Sequence, residues 1–227
     1  MRAKGSNSVD RRDFLGALMA TGAVGLAGLA PFRLNAMQDE GAGKMTTPGF
    51  EDWLNRIKGK HRQVFDSPHN VGGMPFAWVR VYMMTNQMVG AKEEDTQAVL
   101  VLRHDAIPLA MESSLWKKYN FSKVFHVVDE QTKKPIKENV FWQPKQGALP
   151  LPGMGINELM SSGVLIGLCE MAITVYSTAV AQQMKLKPEE VKKEWIAGVL
   201  PGIQLVPSGV LAINRAQERG CSYCFAG

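Results

Sequence analysis

The chain has 227 residues, enough for one sizeable domain with extensions, and its hydrophobic fraction of 45% is ordinary for a globular protein. The formal net charge is +5, but residues 1–36 hold five Lys or Arg (Arg2, Lys4, Arg11, Arg12, Arg33) against Asp10 and Asp13, so that segment carries +3 and the remainder only +2. So small a charge gives no support for a nucleic-acid partner, and no stretch has the low complexity of a disordered chain.

Residues 8–30, "SVDRRDFLGALMATGAVGLAGLA", join the pair Arg11 and Arg12 to Phe14, Leu15 and an apolar run of small residues. This layout resembles a twin-arginine export signal, with Asp10 where the pattern has Ser or Thr. The resemblance implies that residues 1–36 are a signal peptide, cut before Met37 or before Pro31. It also implies that the twin-arginine export machinery carries the precursor and that the mature protein is periplasmic or otherwise exported. The rival is a retained N-terminal anchor, but Leu15 to Ala30 is about 16 glycine-rich residues and a span needs roughly 20. Nothing later is long and apolar enough to span, so the mature chain is expected to be soluble. Outside the cytoplasm disulfides persist.

Residues 37–73 read as a polar linker followed by a short amphipathic helix, in which Phe50, Trp53, Leu54 and Ile57 recur at helical spacing. The main domain is expected over 74–227. Its first strand is read at 76–84 ("FAWVRVYMM"), aromatic and β-branched after "GGMP". Further strands are read in "TQAVLVLRHDA", "SKVFHVVDE", "GVLIGLC", "GIQLVPSG" and, at the terminus, "CSYCFAG". Helices are read around 87–95, 107–119, 155–162, 170–186, 188–198 and 208–219. Continuous apolar strands alternating with helices predict an α/β fold with a parallel sheet covered on both faces. Residues 129–153, charged and then rich in proline and glycine, form an inserted loop long enough to suggest a functional or oligomer-contact role.

Three stretches carry a family resemblance. One is Ala106, Ala110, Leu115, Trp116, Lys118 and Tyr119. Another is Gly163, Val164 and Cys169, at the end of a middle strand. The closing stretch is Val206 to Val210 ("VPSGV") with Gln217, Gly220 and Tyr223. Over about residues 74–225 the chain resembles the DsrE/DsrF-like family, related to sulfur-relay proteins. The resemblance implies a three-layer flavodoxin-like sandwich with a mainly parallel sheet of four or five strands, assembly into homo-oligomers, and a cysteine able to carry a persulfide. Where relatives commonly have G-Y-x-Y this chain has "GCSYC", so Cys221 and Cys224 are additional. The 129–153 insert and the export signal are further departures, and an exported relative would need its own sulfur donor and acceptor.

The chemistry centres on Cys169, where a strand turns into a helix. A helix N-terminus offers unpaired N–H groups and partial positive charge, which suit a thiolate; Glu170 works against it. The rival role is a small hydrophobe in the core. In a parallel sheet ligands bind at the carboxyl ends of the strands. That rim is expected to carry Arg103 for an anionic sulfur species, His104 as proton acceptor for Cys169, and Asn86 after the first strand. Ser208 reads as a helix N-cap with room for an anion. "CSYC" has redox or metal spacing, but no helix follows it and residues three apart on a strand face opposite sides, so a Cys221–Cys224 disulfide would need a turn. His61, His69 and His126 are scattered without ligand spacing and read as surface residues; neither a metal nor a cofactor is expected. Two readings follow: a carrier of sulfur or thiols through Cys169 rather than a turnover enzyme, or a non-catalytic oligomeric binding or assembly module that keeps the fold alone.

Overall fold

The computed structural model describes residues 47–129, 132 and 134–227; the signal reading, with Arg11 and Arg12, lies outside them. Helix α1 (Phe50–Asn55) leads into strand β1 (His61–Ser67), followed by α2 (Met74–Met88) and β2 (Thr96–Leu102). A 3-10 segment (His104–Ala110), α3 (Ser113–Tyr119), α4 (Phe121–Val124) and α5 (Ile156–Ser161) precede β3 (Leu165–Cys169). Then come α6 (Glu170–Met184), α7 (Pro188–Ala197), β4 (Gln204–Val206), α8 (Gly209–Glu218) and β5 (Ser222–Phe225). The five strands form one sheet in the order β4-β3-β2-β1-β5, every pair parallel.

Alternation along the strands divides the core. Phe65, Leu100, Leu102, Ile166 and Leu168 face one side, against Phe76, Val79 and Met83 of α2, Ile173 and Val180 of α6, and Trp195 of α7. Val64, Val99, Val101 and Leu165 face the other, under Trp53 and Leu54 of α1 and Ala212, Ile213 and Ala216 of α8. The result is a three-layer α/β sandwich, flavodoxin-like in its layering, with the last strand rather than the second lying outside β1.

From β1 to β4 the chain steps across the sheet in one direction, and the crossover helices lie on the first face. From β4 it returns across the sheet to β5, and with the same crossover hand its helix α8 must lie on the second face. The paths leaving β3 and β4 therefore diverge to opposite faces. The strand order itself reverses between β1 and β5, so the carboxyl ends of those two strands form the sheet's topological switch point, where open α/β sheets bind ligands.

Several expectations are corrected. Residues 76–84 are helical within α2, not a strand: Phe76, Val79 and Met83 are buried at helical spacing, Trp78 is exposed, and Pro75 sits in the first turn after the N-cap Gly73. The helix read at 87–95 is the end of α2 and one 3-10 turn, Glu93–Asp95. The strand read in "SKVFHVVDE" is the short α4 with an isolated Val128–Pro135 bridge. The segment 37–73 holds β1, an interior strand, so the domain begins before residue 74. Strands β2 to β5 fall within the stretches read as strands. Within the 129–153 insert, Phe141 is buried against Phe76, and Asn139 Nδ2 donates to the carbonyls of Leu109 (2.7 Å) and Met111 (2.8 Å), so this loop packs on the chain's own core. Among the described residues no helix is long and apolar enough to cross a membrane.

Candidate functional site

Cys169 ends β3 and is the N-cap of the 15-residue α6, and its Sγ accepts the N–H of Ala172 at 3.3 Å. The thiol so occupies the position usually taken by a Ser or Asp cap, satisfying an orphan donor of the first turn. The side chain is nearly enclosed, 6% exposed. Lys192 of α7 holds Glu170 at 3.0 Å, which neutralises the carboxylate next to the thiol. Cys169 pairs in register with Val206, two residues before Ser208. Ser208 caps α8, its Oγ accepting the N–H of Leu211 at 3.3 Å. Two helix N-termini thus stand at the adjoining carboxyl ends of β3 and β4, with the cysteine at one and the serine at the other.

Arg103 leaves β2 towards the second face. Its Nε and Nη2 donate to Asp66 Oδ1 (2.7 Å) and Oδ2 (3.0 Å), a two-point pair. Tyr223 of β5 also donates to Asp66 Oδ2, at 2.9 Å. Asp66 is buried, and its hydrogen bond raises the Arg103 guanidinium pKa; burial works against this, while the charges of Asp66, Tyr223 and Cys169 reinforce it. The stem of Arg103 lies across the start of α8, where a Cβ on Gly209 would come within 2.7 Å of the Arg103 Cβ. Arg103 is thus already committed to Asp66, as one half of an ion pair.

His104 adopts a left-handed backbone, φ 50°. Among the described residues its imidazole makes no hydrogen bond to Cys169. Instead the Tyr176 hydroxyl of α6 lies 3.4 Å from Nδ1 and 3.3 Å from Nε2, and Asp105 Oδ2 lies 3.6 Å from Nδ1. Burial, with the Asp105 charge adding to it, pushes the Tyr176 hydroxyl up to about 12, so it remains a donor. Burial raises the Asp105 carboxyl, but hydrogen bonds from His104 and His69 and the N–H of Asn70 outweigh it and leave it below its ordinary value. His69 Nδ1 sits 3.0 Å from Asp105 Oδ2.

Asn86 is withdrawn from the rim. It lies in the last turn of α2, which runs back against the strands to their amino ends, and its Nδ2 donates to the Tyr82 carbonyl at 2.9 Å. The Cys221–Cys224 pairing is also withdrawn. Both are free; Cys221 is buried in the second-face core and Cys224 packs against the first, and burial raises both thiols.

Four rim residues escape a reading of the sequence: Asp66, His69, Tyr176 and Tyr223. The first two depend on recognising β1, which carries them to its carboxyl end. Tyr176 follows Cys169 by two helical turns, a spacing that was available. In comparison with known proteins, no family model matches the chain and none of the curated proteins matches it.

Proposed function

We propose that the protein handles sulfur or thiols through Cys169, as a carrier of sulfane sulfur after export, in keeping with the DsrE/DsrF-like resemblance. One observation carries this reading: the thiol caps α6 at the carboxyl end of a parallel strand, with the N–H of Ala172 bound to its sulfur. In the loading step the Cys169 sulfur attacks the outer sulfur of a persulfide or polysulfide. A new S–S bond forms as the donor's S–S bond breaks, and the donor leaves as a thiolate. No outside oxidant enters, because the sulfane sulfur is transferred at its own oxidation level.

The near-complete enclosure of Cys169 favours the second reading, a binding or assembly module in which the thiol only caps and packs. Exposure of the purified protein to polysulfide, followed by intact-mass measurement, separates them. The carrier reading expects mass increments of about 32 Da (one sulfur), absent from Cys169→Ser and kept in the Cys221→Ser, Cys224→Ser double variant. Loading that survives Cys169→Ser and disappears with the terminal pair would overturn it, as would no loading at all.

A further inference from the structure

We propose that His69, His104 and Asp105 form a binding site for a divalent first-row transition ion of the zinc class. The three offer one ligand atom each, and those atoms all lie within 4.8 Å of one another. Two separations are already short: 3.0 Å from His69 Nδ1 to Asp105 Oδ2, and 3.6 Å from His104 Nδ1 to the same oxygen. Ligands about 2.0–2.1 Å from a tetrahedral ion stand about 3.3 Å apart, so the third side of the triangle needs a movement of roughly an ångström or so. Both imidazoles are free to make it, with side chains 52% and 57% exposed.

The surroundings hold the set in place. Asp105 Oδ1 accepts the N–H of Asn70 at 3.0 Å, which aims Oδ2 at the two rings, and Asn70 is anchored by its Nδ2 to the Phe125 carbonyl at 3.0 Å. The N–H of Asp105 donates to the Pro68 carbonyl at 3.1 Å, tying the loop after β2 to the loop after β1. Tyr176 supplies a hydroxyl to His104, the kind of outer partner that orients a ligating imidazole. His104 itself sits at φ 50°, a backbone state that costs energy for a residue other than glycine and turns its ring toward His69, with ring centroids 5.8 Å apart.

Two imidazoles and one carboxylate select the ion. Imidazole suits zinc, copper, nickel and iron, whereas magnesium and calcium prefer all-oxygen shells. Three protein ligands facing solvent leave at least one position for water, as in exchangeable rather than closed structural sites. The site uses none of the three cysteines, so it stands apart from the thiol chemistry proposed for Cys169.

Zinc titration of the purified full chain against a chromophoric chelator tests this, with circular dichroism confirming that each variant is folded. One equivalent of zinc is expected. His69→Ala, His104→Ala and Asp105→Asn should each weaken it by at least about 100-fold, and Tyr176→Phe by about 10-fold. Cys169→Ser should bind zinc unchanged. Cobalt(II) should give visible d–d bands without the near-ultraviolet charge-transfer band of a thiolate ligand. A thiolate band, no saturable binding, or unchanged affinity in a folded His69→Ala, His104→Ala double variant would each overturn the proposal.

Discussion

Asp66 is a buried carboxylate next to the carboxyl end of an interior strand, partnered there by Arg103, which follows the neighbouring strand. Register places Asp66 opposite Val101, so the guanidinium two residues on can reach across and grip both oxygens. A buried pair of this kind contributes little net stability, but losing one partner strands the other charge. Arg103→Leu should therefore cost about 3 kcal/mol in urea unfolding, because Asp66 keeps only the Tyr223 hydroxyl. The Asp66→Asn, Arg103→Leu double variant should recover part of that loss, giving a coupling well outside additivity. Additive losses would mean that the pair does not act as a unit.

Between elements, Glu194 of α7 fastens α3: Lys118 Nζ lies 2.8 and 2.6 Å from its two oxygens, and the Tyr119 hydroxyl donates at 2.6 Å. The Lys118 hydrogen bond, then that of Tyr119, holds the Glu194 carboxyl below its ordinary 4.5 against a smaller effect of burial. A carboxyl lowered in the folded state adds stability that is present above its unfolded value and is lost as the pH falls through the folded one. The side chain is 38% exposed, so solvent screening keeps the contribution small. Glu194→Gln should thus be slightly less stable than the parent at pH 6, and the gap should close as pH falls below about 4 in denaturant titrations. A gap independent of pH would assign the loss to packing. Elements were legible where a single local signal dominated. The continuous runs Ala98–Leu102 and Leu165–Leu168 announce buried parallel strands, and Cys169 and Ser208 stand where strand gives way to helix. β1 was not legible, because only Val64 and Phe65 are apolar in "HRQVFDS" and Asp66 is made burial-compatible by a residue 37 positions away. Residues 76–84 misled by composition, since aromatic and β-branched side chains outweighed the 76, 79, 83 periodicity. Asn86 was misplaced as a direct consequence, and with β1 unseen nothing brought His69 to His104.

At the scale of the whole sheet, the strand order sets which thiols can ever meet. Cys169 ends β3, and Cys224 lies in β5, separated from it by β2 and β1. Three inter-strand steps of about 4.8 Å put their backbones roughly 14 Å apart, against a limit of about 7 Å between bridged Cα atoms. Cys221 and Cys224 are closer in sequence but three residues of extended chain span about 10 Å, and their side chains enter the cores on opposite faces. No pair can close without pulling β5 out of the sheet, where it is hydrogen-bonded to β1 over Gln63–Asp66. The fold therefore keeps its thiols apart, and neither Cys221 nor Cys224 lies within bridging reach of Cys169. Protein kept in air, then denatured without reductant and titrated with a disulfide reagent, should show all three thiols. A count of one would reveal an intramolecular bridge, and would require a β5 docked differently from the strand that supplies Tyr223 to Asp66.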